Sequence, residues 1–117
     1  MKHIFAVVLS TLSSASFADP PTVEAVRATK SGDAWSFDVT LSHPDTGWED
    51  YADGWRVLDV DGNDLGTRVL YHPHVNEQPF TRSLSGVVIP DGQTEVMIEA
   101  RDSVGGWSGA YFPVTLK

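Results

Sequence analysis

Apolar and polar positions alternate along most of this chain in short runs. Trp35, Phe37, Val39 and Leu41 alternate strictly with Ser36, Asp38, Thr40 and Ser42. A period of two sets one face of a strand on a core and the other in water. Val96, Ile98 and Ala100 repeat the pattern against Glu95, Met97, Glu99 and Arg101, within a strand expected from Thr94 to Asp102. Further runs predict strands from Val23 to Thr29, Trp55 to Val60, Leu65 to His72, Phe80 to Ile89 and Ala110 to Leu116. In the fourth of the seven, Leu65, Val69 and Tyr71 share one face, and Arg68, Leu70 and His72 the other. No 3.6-residue periodicity follows residue 18, and Gly, Pro, Asp or Asn bounds nearly every run. The expected fold is all-β, a seven-stranded antiparallel β-sandwich.

The first 18 residues follow a different pattern. Lys2 precedes an unbroken apolar run from Ile4 to Leu9, and Ser16 and Ala18 are small residues where a signal peptidase cuts. The run is shorter than the ~20 apolar residues that span a bilayer. Residues 1–18 therefore read as a signal peptide cleaved near Ala18, with one domain over residues 19–117. The expected location is the periplasm or the exterior, with no cysteine for a lipid and no later segment apolar enough for a membrane anchor.

Composition then narrows the chemistry. Of 117 residues, 16 are Asp or Glu and 8 are Lys or Arg, a formal charge of -8 that becomes -9 once Lys2 is removed. That charge disfavours nucleic acid and anionic membranes as partners. The absence of cysteine excludes a disulfide scaffold, a thiolate metal site and a Cys nucleophile.

The second half carries a further pattern. Ile89-Pro90-Asp91-Gly92 forms a Pro-containing turn, and Val96, Ile98, Ala100 and Asp102 mark an alternating strand. Gly105-Gly106 and Ser108 then form a Gly/Ser loop before the last strand. In these residues the chain resembles a fibronectin type III or immunoglobulin-like module. Thr94 and Glu95 stand where that family has an early tyrosine in the sixth strand, and Trp35 opens the second strand rather than closing it. The resemblance implies a sandwich and no particular activity.

Strand reversal sorts the connections. The odd ones are small turns: residues 30–33, 61–64 and 90–93, rich in Gly, Asp and Asn. Asp59-Val60-Asp61-Gly62-Asn63 reads as such a hairpin turn rather than a calcium loop, because its glycine comes too early. The even connections, residues 43–54, 72–79 and 103–109, emerge at the opposite end. They carry His43, His72 and His74, which are all the histidines after residue 18, with Trp48, Trp107 and five acids.

His72-Pro73-His74 is the sharpest local motif. Extended backbone turns residues two apart to one side, and neutral imidazoles ligate zinc and copper(II). His43, Glu77 or Asp45 would complete such a site, and Arg82 would orient a carboxylate or pair with Glu77. Trp48, Tyr51 and Trp107 beside acids suit a protein or sugar surface. The acids Asp45, Glu49, Asp50 and Asp53 read as a solvated loop. No nucleophile elbow or other catalytic motif occurs, so the expectation is binding rather than catalysis. Two readings of this end follow. One is a divalent metal, zinc or copper(II), on His72, His74, His43 and Glu77. The other is a metal-free contact with another exported protein or a glycan through Trp48, Tyr51, Trp107, Arg82 and Asp45.

Overall fold

A computed structural model describes residues 19–117, so the expected leader lies outside the described residues. Eight strands follow in chain order: β1 (Thr22–Ser31), β2 (Ala34–Ser42), β3 (Ala52–Leu58), β4 (Asp64–Val69), β5 (Phe80–Val87), β6 (Glu95–Asp102), β7 (Gly106–Trp107) and β8 (Phe112–Thr115). The described residues are all-β. The strands form two antiparallel sheets, β1-β2-β5 and β4-β3-β6, with β7 and β8 both pairing with β6. β8 lies within the expected last strand, residues 110–116, and β7, carrying Trp107, is an additional two-residue strand inside the expected sixth connection.

Alternation explains the core. Phe37, Val39 and Leu41 of β2 are fully buried and meet Trp55 and Val57 of β3 and Val96 and Ile98 of β6 in one cluster. The opposite face of β2 is polar and cross-linked to β5, as in the Thr40–Thr81 hydroxyl pair at 2.7 Å. The sheets approach closely at Gly66, where a Cβ would stand 3.1 Å from the Leu84 side chain of β5.

Two places depart from the burial that alternation implies. Leu70 is buried, whereas Val69 and Tyr71 are exposed. The reason is a bulge: Val57 pairs with Gly66 but Leu58 with Asp64, leaving Leu65 unopposed. One extra residue reverses the facing of all that follow. Glu99, expected on the solvent face of β6, is 2% exposed. Arg56 donates to its Oε1 at 2.7 Å, and the Gly109 amide donates to its Oε2. Trp107 lies under the Arg56 guanidinium, 3.8 Å from its ring centroid, with Arg101 at 5.3 Å.

The Asp59 turn is the hairpin its sequence suggests. Asp59 accepts from the Asn63 side chain and from the Asn63 and Asp61 amides. Those bonds, the Asn63 side chain first, hold its carboxyl below the ordinary value.

Candidate functional site

The three even-numbered connections meet at one end of the molecule. Residues 43–51 lead into β3, residues 70–79 into β5, and residues 103–105 into β7. Asp45 joins the first two. Its side chain is fully buried and accepts three bonds: from His43 Nδ1 at 2.6 Å, the Ala52 amide at 2.9 Å and the His74 amide at 2.8 Å. Gln78 repeats the link, accepting from the His43 amide and donating to the His74 carbonyl. The third connection is tied in by Tyr51 and Ser103, whose amides each bond to the other residue. Buried polar groups satisfied in this way hold loops in one arrangement.

His74 is a structural member of this end. It is 6% exposed and stacks on Phe80 at 3.9 Å. Arg82 donates to its Nε2 at 2.9 Å and also reaches Glu77 at 3.3 Å. Burial first, then the neighbouring Arg82 charge, lowers the His74 pKa from the ordinary 6.5. The imidazole is therefore kept neutral, with its proton on Nδ1.

His72 is exposed, its ring centroid 4.8 Å from that of His74. The expected convergence of these two rings is thus present. A metal shared between them, however, would have to displace Arg82 from His74 Nε2. Glu77 is likewise engaged by Arg82, the pairing expected from the sequence. His43 does not join the pair, because both its ring nitrogens face carboxylates. Nδ1 meets Asp45, while Nε2 lies 3.5 Å from Asp102 Oδ2 and 3.7 Å from Asp50 Oδ1. Among the described residues, no three His, Asp or Glu side chains are gathered into a finished metal cage.

The aromatic candidates divide in the same way. Trp48 is 66% exposed and packs edge-to-face on Tyr51, with ring centroids 5.6 Å apart. It sits on a tight turn closed by bonds from the Thr46 amide to the Asp50 carbonyl and from the Asp50 amide to the Gly47 carbonyl. Gly47-Trp48 and residues 72–77 wall an open cleft of about 530 Å³. Trp107, grouped with Trp48 in the sequence, is committed instead to the arginine stack on the β3–β6 face. Gln78, Ser103 and Asp102 are not among the binding residues the sequence suggests. Each acts on residues remote in the chain, and nothing local marks them.

No family model matches this chain, and no solved structure matches it. The chain is similar to a Halomicrobium mukohataei protein named "Putative lipoprotein", with 39% identity over 87 residues. The match covers 74% of this chain and 42% of that protein, so the chain spans less than half of that relative's length.

Proposed function

We propose that this chain is an exported, non-catalytic β-sandwich module of the immunoglobulin or fibronectin type III kind, and that its even-loop end docks a protein partner. The fold type is supported by the separation of strands one, two and five from strands three, six and the last, as in immunoglobulin-like sandwiches. Export to the periplasm or the exterior is supported by the leader pattern in residues 1–18 and by the name of the relative.

One observation carries the docking surface. Among the described residues, four of the eight exposed large apolar side chains, Trp48, Tyr71, Val75 and Val104, lie on the three connections that Asp45, Gln78 and Ser103 tie together. Exposed aromatic and aliphatic groups on a braced surface are what a protein interface buries, with tryptophan the strongest single anchor. Glu49, Asp50 and Glu77 surround them and select a partner with a basic rim. The His72–His74 metal reading is weaker on this geometry, since Arg82 holds the lone pair that His74 would offer.

The test is capture from an exported-protein fraction by the immobilised protein, followed by titration of the purified partner. Binding that survives chelator and weakens at least tenfold in Trp48→Ala supports the reading. Binding abolished by removing glycans from the partner would replace protein with sugar as the ligand. Binding unchanged in Trp48→Ala would overturn the proposed anchor.

A further inference from the structure

His43 is buried among acids. Its side chain is fully enclosed, and its ring nitrogens face three carboxylates. Asp45, on the same connection, accepts from Nδ1 at 2.6 Å. Asp45 also accepts two backbone amides and as a carboxylate has only acceptors to offer, so Nδ1 carries a proton. Nε2 faces Asp102 Oδ2 at 3.5 Å, at the end of β6, and Asp50 Oδ1 at 3.7 Å, at the end of the Trp48 turn. Residues 70–79 present Gln78, which is uncharged and accepts from the His43 amide. Asp19 lines a cleft that His43 also lines.

A neutral His43 would turn the Nε2 lone pair on two carboxylate oxygens inside the protein. Acceptors facing one another with no proton between them are costly once buried. A proton on Nε2 answers both oxygens. It also sets one positive charge against three acids where water screens little. The separations at Nε2 are those of an ion pair rather than a hydrogen bond, so charge supplies the attraction.

We infer that His43 is an imidazolium clasp that pins the Trp48 turn to the end of β6, and that removing its Nε2 proton releases the turn. Asp45 and Asp102 are fixed without His43, since each accepts two backbone amides. Asp50 is not. Its buried Oδ1 has no hydrogen-bond partner, and its side chain is 22% exposed, with a route to solvent. Without the proton, the Nε2 lone pair repels Asp50 Oδ1 outward. The Asp50 main chain closes the Trp48 turn on Thr46 and Gly47, so the turn loosens with it.

The sign of the pH effect follows from proton uptake on folding. An unfolded histidine gains its proton below about 6.5. The clasp's contribution is complete below that value and is lost as rising pH strips folded His43. It runs opposite to His74, whose neutral state favours folding less as the solution is acidified. Any effect of the clasp on Trp48 as an anchor rests on the docking proposal; the clasp itself does not.

Nitrogen-15 NMR of the imidazoles in the free protein, followed from about pH 5 to about pH 9, tests the inference. His43 is expected to carry protons on both nitrogens at the acid end and to lose the one on Nε2 as pH rises. In the same step, hydrogen-exchange protection at the Thr46, Asp50 and Tyr51 amides should fall at least tenfold, while the Asp59 and Gly62 amides of the β3–β4 turn stay unchanged. Asp50→Asn and Asp102→Asn should each release the proton at lower pH than the parent. Asp102→Asn keeps an acceptor for the Val104 and Gly105 amides, and circular dichroism checks that both variants fold. If neither folds, the parent's titration decides alone. A single neutral tautomer across the whole range would overturn the clasp. So would a titration that leaves Thr46, Asp50 and Tyr51 as protected as before, or one that neither folded variant moves. None of these results touches partner capture, so the docking reading stands or falls separately.

Discussion

Removing the Asp45 carboxylate is the sharpest perturbation of the loop end. In Asp45→Ala, the Ala52 amide, the His74 amide and His43 Nδ1 all lose their acceptor. A buried donor left unsatisfied costs about 1–3 kcal/mol, and water reaching the loop end offsets part of it, so the sum is roughly 3–6 kcal/mol. That is a large share of the ~5–15 kcal/mol that holds a domain folded. Asp45→Asn keeps one oxygen for His43 and Ala52 but turns an NH₂ toward the His74 amide. Its cost is a single inverted contact, about 1–3 kcal/mol. Urea unfolding followed by tryptophan fluorescence reads both, with a slope of ~1–3 kcal/mol/M converting the midpoint shift to free energy. Hydrogen exchange at the Ala52 and His74 amides should accelerate in Asp45→Ala. A loss under about 1 kcal/mol for Asp45→Ala, or no difference between Ala and Asn, would refute the clamp, because three orphaned buried donors cannot be that cheap.

Trp107→Ala removes a half-buried ring packed against Arg56 and Arg101 and should lower stability by about 2 kcal/mol in the same assay. A change below about 0.5 kcal/mol would place Trp107 outside the structural stack. Trp48→Ala should change stability by less than about 0.5 kcal/mol, since the side chain is largely exposed, while removing partner binding. His74 should titrate below 6.5 in an NMR pH series. On acidification below 6.5 the unfolded chain therefore binds a proton that folded His74 refuses, and stability falls as pH drops through that window. A His74 midpoint at or above 6.5 would contradict its burial against Arg82.

The parts of this protein that were legible in its sequence are those set by local period. The alternation of β2 and β6 placed Phe37, Val39, Leu41, Val96, Ile98 and Ala100 on the core face, where they lie. Strand reversal alone grouped residues 43–54, 72–79 and 103–109, and the bonds from Asp45 and Ser103 join those connections. Non-local effects were not legible. The bulge at Leu65 reverses the facing of Val69, Leu70 and Tyr71, and alternation gives no sign of one unopposed residue. Glu99 is buried because Arg56, 43 residues away, and the returning Gly109 cover it. His43 meets Asp102 from the far end of another strand, and no spacing along the chain encodes that contact. His72 and His74 were conspicuous as a motif, yet Arg82 decides what His74 can do.

Hydrogen exchange with and without the captured partner tests the central claim most directly, because it reads every connection at once. Slowed exchange is expected in residues 46–51, 71–77 and 103–105, with no change in the turns at residues 32–33, 59–63 and 88–94. Protection confined to those turns, or to the outer face of the β1-β2-β5 sheet, would contradict an even-loop recognition end.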